Sequence, residues 1–420
     1  MTKSEQTIRS DLAKRLAAMD ATGQKIKSQG LMHCVAEDER LDGRTITVRG
    51  KQLVHFGSCS YLGLETDSRL KTAACEAILR YGVQFSSSRS YVSAPLYAEY
   101  EALLARVVGG HPLVVAPTTS LAHQSALPVL IHERDAVLYD GAVHQSVQAV
   151  LPTLRLQGAS CEMLPHNRLD VLEDRARALA KTHDRVFFLC DGVYGMHGDI
   201  IDIAALRRVL DYVPQLHAYV DDAHGVGWTG RNGAGAALHD LQLHERMVVV
   251  LGLSKGFGAA GGAIVCNSPN VARQIFTLGR TLMFSGPLQP AQLGAAIASA
   301  NILLSEEIQV LQQELLERIT LFDGLAQKEG LPVHAPSVSP IRFIQVGREE
   351  HAMELGAQLQ SAGFFTNLAM YPVVMRRRAG VRIMLNRHQD YEDISSLVRE
   401  AGRRCRRLLG RPSVSESLHA

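Results

Sequence analysis

A chain of 420 residues with 46% hydrophobic side chains is longer than one compact core usually needs, so a large domain and a smaller one are expected. Its 44 basic and 42 acidic side chains leave a formal net charge of +2, without the basic surplus of a dedicated nucleic-acid binder, so no nucleic-acid partner is expected. Seven scattered cysteines, none paired at CxxC or zinc-like spacing, argue against a disulfide framework and a structural metal.

The opening MTKSEQTIRSDLAKRLAAMD is charged and lacks the apolar stretch of a signal peptide. Ile8, Leu12, Leu16 and Met19 recur at helical spacing, and residues 1–30 read as a helix. Residues 45–57 alternate as a short hairpin, with strands at Thr45–Val48 and Leu53–Phe56. Short apolar runs rich in β-branched residues follow at 113–116, 136–139, 186–190, 218–220, 247–251 and 263–266. Amphipathic stretches such as 200–213 lie between several of them. Strands apolar on both faces and separated by helices predict a mainly parallel sheet covered on both sides. Residues 301–330 read as one long helix, followed by a strand (341–346), a helix (349–362), a strand (381–385) and a last helix (391–409). The expected division is an N-terminal helix and hairpin (1–60), a large domain (61–300), a small α+β domain (301–410) and a disordered tail (411–420). No run approaches the ~20 apolar residues of a membrane span, so no membrane span is expected and a cytoplasmic protein is the default.

Two segments carry most of the chemistry. In HAYVDDAHGVGWTG (217–230) an apolar strand ends in Asp221, Asp222, Ala223 and His224, and ligands of parallel sheets sit outside the carboxyl ends of the strands. In MVVVLGLSKGFGAAGGAIV (247–265) a strand runs into Ser254 and Lys255, boxed in by Gly252, Gly256 and Gly258. Surface lysines usually sit on polar helices; this one has apolar or tiny neighbours, which suits a nucleophilic amine beside a planar ring and a phosphate. Gly225, Gly227 and Gly230 match GxGxxG, but polar and small residues separate them from the strand and no helix opens after them, so a dinucleotide site is not expected. Thr118, Thr119 and Ser120 stand between a strand and a helix, where hydroxyls and free N–H groups suit a phosphate or an ordinary N-cap equally well. His144 follows another strand end.

Together these segments resemble the α-oxoamine synthases, pyridoxal-phosphate (PLP) enzymes of fold type I. The resemblance rests on SCSYLGL (58–64), SSSR (86–89), the His144 segment, His166-Asn167, DGVYGMHGD (191–199), VDDAHGVG (220–227), NGAG (232–235), SKGFGAAGG (254–262), MFSGPLQPAQ (283–292) and VRIML (381–385), in the family's order. It implies an α/β fold with a mainly parallel seven-stranded sheet, helices on both faces and a smaller C-terminal α+β domain. It implies PLP held as a Schiff base on Lys255, with Asp221 pairing with the ring nitrogen, His144 stacked on the ring, and His224 beside the ring oxygen and reacting carbons. Backbone around Ser120 and Leu121, with Ser254, would hold the phosphate, and Ser285 would be the hydroxyl reaching the site from a second subunit of a homodimer. Arg382, with Ser60, would bind the amino acid.

The implied reaction joins an amino acid to an acyl thioester, on CoA or an acyl carrier protein, with loss of carboxylate, to give an α-aminoketone. A ligase-type branch acting on aminoketobutyrate and a fold type I aminotransferase are the alternatives. The chain departs from the family pattern at Gly252 and Gly195, where hydroxyl residues are usual, at Gly286-Pro287, and at Ser86–Ser88 in place of glycines. Loss of the hydroxyl before the lysine is shared with the autoinducer-synthase branch. The basic runs at 376–378 and 403–407 read as solvated faces.

Overall fold

The computed structural model describes residue 20 and residues 23–334 and 337–410. The tail beyond Gly410 and the positions Ile8, Leu12, Leu16 and Met19 lie outside the described residues; residues 23–28 are helical. The described residues form two units. One contains Cys59–Glu317 with 337–340; the other contains those up to Ser58, then Arg318–His334 and Ile341 onward.

In the second unit a hairpin, β1 (Thr45–Val48) and β2 (Lys51–His55), precedes the large unit's strands in the chain. The large unit then contributes helix α1 (Ser68–Tyr81), β3 (Leu113–Ala116), helix α2 (Thr119–Leu130), β4 (Ala136–Asp140), β5 (Ser160–Leu164) and β6 (Val186–Asp191). Helix α3 (Ile203–Tyr212), β7 (Leu216–Asp221), β8 (Met247–Gly252), β9 (Gly262–Val265) and helix α4 (Pro290–Leu303) follow. The seven strands β3 to β9 make one sheet in the order β3-β9-β8-β7-β6-β4-β5, parallel except for β9, which is antiparallel to both its neighbours. β6 and β8 are buried at every position, as strands covered on both faces must be. On α3, Leu206, Val209 and Leu210 form the buried stripe expected of a covering helix. The fold is thus the α/β architecture with a mainly parallel seven-stranded sheet that the sequence implied.

The segment expected as one helix over 301–330 is broken. α4 ends at Leu303 and helix α5 runs Glu307–Lys328. Ser305 is the cause: its hydroxyl donates to the Ile302 carbonyl (2.7 Å) and accepts from the Glu307 N–H (3.3 Å), which ends one helix and starts the next.

The other unit continues with β10 (Val333–His334), β11 (Ile341–Gly347), helix α6 (Glu349–Ser361), β12 (Phe364–Phe365), β13 (Asn367–Ala369), β14 (Ala379–Met384) and helix α7 (Tyr391–Leu409). Its strands pair as β10-β11-β14-β13 and as β1-β2-β12. The first residues after the amino-terminal segment therefore belong with the carboxy-terminal part of the chain. All seven cysteines are free thiols. Among the described residues no helix is long and apolar enough to cross a membrane.

Candidate active site

Five strand ends of the large unit, β3, β4, β6, β7 and β8, feed a cavity of about 180 Å³. It is lined by Thr118, Thr119, Ser120, His144, Ser146, Asp191, Val193, Asp221, Ala223, His224, Ser254 and Lys255. Each arrives for a local reason. Asp191 and Asp221 are the last residues of adjacent parallel strands and stand in register. Lys255 sits in the turn between β8 and β9, held by hydrogen bonds from Gly258 N–H to the Lys255 carbonyl (2.8 Å) and from Leu253 N–H to the Gly261 carbonyl (3.0 Å). Thr118 caps α2, its hydroxyl accepting from Leu121 N–H at 3.1 Å. That leaves the Thr119 and Ser120 N–H groups at the helix start, where no intrahelical acceptor exists.

Asp221 is the electrostatic centre. Burial opposes its ionisation, but the charge and hydrogen bond of His123, the charge of Lys255 and the Ala223 N–H hold its carboxyl well below the usual carboxylate range. Asp191 moves the other way: burial, then the charge of Asp221, pushes it well up, although His144 N–H donates to its Oδ1 at 3.1 Å. The two adjacent carboxyls are thereby driven in opposite directions, the arrangement expected where a site handles protons.

His224 is buried, and its Nδ1 lies 2.7 Å from the Tyr61 hydroxyl. A Cβ on Gly195 would overlap His224 Nε2, so the missing serine at that position leaves the space this imidazole occupies. At Gly252 a Cβ would lie 2.5 Å from the Ala223 Cβ and 3.2 Å from Thr119 Oγ1. The chain lacks a hydroxyl at residue 252 but brings that of Thr119 to the same neighbourhood. His144 is exposed, with its Nδ1 2.6 Å from the Ser146 hydroxyl.

The structure thus brings Lys255, Asp221, His224, His144, Ser120 and Ser254 together. Leu121 does not line the cavity; its N–H is committed to the cap. Ser60 is not a lining residue either, its hydroxyl being bonded to Glu65. Ser285 donates to the Thr281 carbonyl outside the cavity. Arg382 belongs to the other unit, on β14, where it pairs with Phe343 and Asn367. The GVGWTG glycines are packing elements rather than a helix start: a Cβ on Gly227 would strike the Gly256 carbonyl in the lysine turn.

Sequence reasoning passed over His123, buried on α2 with Nε2 2.9 Å from Asp221 Oδ2. Its signal was present but faint: one helical turn after Thr119, opposite a strand carrying Tyr219 and Asp221 on one face. Asp191 stands in the sequence only as the first residue of DGVYGMHGD (191–199), with no separate signal of its role.

The donor set fits a phosphorylated aldehyde of an aromatic heterocycle. The cavity holds one amine, an ionised carboxylate, an imidazole beside them, and a helix start with three hydroxyls for an anion.

The family profile described as aminotransferase class I and II matches residues 51–392. Among curated proteins, the 8-amino-7-oxononanoate synthase of Maricaulis maris is 31% identical over 94% of this chain and 96% of that protein. That of Fervidobacterium nodosum is 30% identical over 88% and 93%. Among solved structures, a serine palmitoyltransferase of S. paucimobilis with a bound PLP–myriocin aldimine superposes with a TM-score of 0.86 at 22% identity, covering 95% of this chain and 99% of that one. An 8-amino-7-oxononanoate synthase of Francisella tularensis gives 0.71 at 21% identity, covering 84% and 97%.

Proposed function

The chain belongs to the class I and II aminotransferase family and, within it, to the α-oxoamine synthases, and from that membership we propose that it is a PLP-dependent acyltransferase that condenses an amino acid with an acyl thioester, with decarboxylation, to an α-aminoketone. The observation that carries this reading is the meeting of Lys255, Asp221 and His224 in one cavity with the start of α2.

When bound, PLP supplies an electron-withdrawing ring that spreads the charge left on a substrate carbon after proton removal. Lys255 Nζ would hold the cofactor and, when free, would serve as the base for the α-proton. Asp221 would pair with the ring nitrogen, and His144 would lie against the ring face. The Thr119 and Ser120 N–H groups, with Ser254, would hold the phosphate. His224, fixed by Tyr61, polarises the thioester carbonyl as the new carbon–carbon bond forms and the thiol leaves. The amino-acid carboxylate departs as carbon dioxide. The thiol carrier is CoA or an acyl carrier protein. The proposal includes a homodimer with Ser285 near the neighbouring site, and a cytoplasmic location, which seven free thiols suit.

The test has two parts. Borohydride reduction of the PLP-loaded chain, followed by peptide mapping, should place the label on Lys255, and Lys255→Ala should carry none; label elsewhere overturns the assignment. A panel of amino acids offered with acyl thioesters of graded length should then release thiol and carbon dioxide together, with the ketone identified by mass. A keto acid formed without thioester consumption would make the chain an aminotransferase.

A further inference from the structure

Tyr219 and Asp221 are two apart on β7 and so point to the same face of the sheet, toward α2. Between them and α2 lies His123, with no solvent exposure; Tyr219 and Asp221 are equally enclosed. His123 Nδ1 is 2.9 Å from the Tyr219 hydroxyl, and Nε2 is 2.9 Å from Asp221 Oδ2. The other carboxylate oxygen, Oδ1, accepts from Ala223 N–H at 3.0 Å. An ionised carboxylate only accepts, so Nε2 donates to Oδ2, and the Tyr219 hydroxyl satisfies Nδ1 on the other side of the ring. The result is a hydrogen-bonded chain of Tyr219, His123 and Asp221 that, with the Ala223 N–H, holds both oxygens of the carboxylate. The mechanism above uses neither His123 nor Tyr219. A buried imidazole is costly unless it is fully bonded, and an apolar residue would pack α2 on the sheet without that cost.

We infer that His123, backed by Tyr219, is a positioning residue that fixes the orientation and charge of Asp221 toward the cofactor's ring nitrogen. The inference rests on the proposed PLP chemistry. The charged groups that act on Asp191 and Asp221 together, besides His123, include Lys255 and Asp140, and all of these stay in place in the test variants.

The experiment compares His123→Leu, His123→Asn and Tyr219→Phe with the unaltered chain, each loaded with PLP and free of substrate. It reads the pH midpoint at which the visible absorbance band of the bound cofactor interconverts. A loosened Asp221 would leave the ring nitrogen less protonated, the ring would withdraw fewer electrons, and Lys255 Nζ, through which the cofactor would be held, would become more basic. The midpoint should rise by about one pH unit or more in His123→Leu, with kcat down roughly 10- to 100-fold and the amino-acid KM within about 3-fold. His123→Asn, whose amide can still donate to Asp221, should recover part of both effects, and Tyr219→Phe should shift the midpoint less, in the same direction. If His123→Leu does not fold, the other two variants decide. Wild-type midpoints and kcat in the folded variants, with only thermal stability lowered, would overturn the inference. A wild-type chain that shows no cofactor band at all would instead overturn the proposed function.

Discussion

The departures from the family pattern are legible one residue at a time once their surroundings are known. At Gly252 the missing hydroxyl looks like a loss of cofactor affinity, but the space for it is gone: a Cβ there would stand 2.9 Å from the Ala223 Cα, backbone that cannot turn aside. Restoring the family's residue as Gly252→Ser should therefore weaken PLP binding. Overpacking of this kind costs roughly 1–3 kcal/mol, so a loss of about ten-fold is expected in a cofactor titration followed by absorbance. Tighter binding would mean that the turn yields and that Thr119 is no substitute. Gly195 poses the same kind of constraint against His224. The sequence shows that a hydroxyl is missing; only the packing shows what stands in its place.

Among the elements around the site, the turns after β6 and β7 are held by Asp222. Its carboxyl is fully buried, and a Cβ on Gly192, Gly225 or Gly235 would overlap it, so three turns close around one side chain. Ala237 N–H donates to Oδ2 at 2.8 Å, but burial outweighs this and raises the carboxyl to about 8. A folded-state value above the unfolded one means that the native chain binds the extra proton, so stability falls as pH rises between the unfolded value and about 8. Asp222→Asn removes that slope. Its thermal midpoint should change less between about pH 5 and about pH 8 than that of the unaltered chain. Equal slopes would mean that Asp222 is ionised in the native state.

The same scale shows what the sequence could carry. Strands buried on both faces, such as Val186–Asp191 and Met247–Gly252, announce themselves as unbroken apolar runs. The edge strand Ser160–Leu164 does not, because only Leu164 is buried and Glu162 is paired with Arg175. The pairing of β12 with β2 joins Phe364 to Val54, a contact with no local signal at either end. For the site, Lys255, Asp221 and His224 could be read from strand ends, whereas His123 depended on the helix and strand being face to face.

For the whole molecule, the proposed homodimer has a surface to explain. Tyr91 is 89% exposed and Phe284 is 81% exposed; Val83, Val92 and Leu278 are exposed in the same two stretches of chain. These stretches are tied together, Ser88 donating to the Met283 carbonyl at 2.8 Å and Phe85 N–H to the Gln289 side chain at 3.0 Å. In the proposed homodimer a second copy would cover this apolar surface. Gly286 lies beside Phe284, and a Cβ there meets nothing within 4 Å. A Cβ at Gly286 thus meets no atom of its own chain, and under the proposed homodimer a bulky residue there would act on the neighbour's site. Gly286→Trp and Lys255→Ala should each be inactive alone. When the two are mixed and allowed to exchange, a site built from Lys255 of one copy and Gly286 of the other receives both lesions or neither. Half of the dimers at equal mixing are mixed, each with one intact site, so activity should return to about a quarter of the wild-type level. Exchange shown by mass or by differently tagged copies, with no activity regained, would mean that each chain completes its own site and that the apolar surface serves assembly alone.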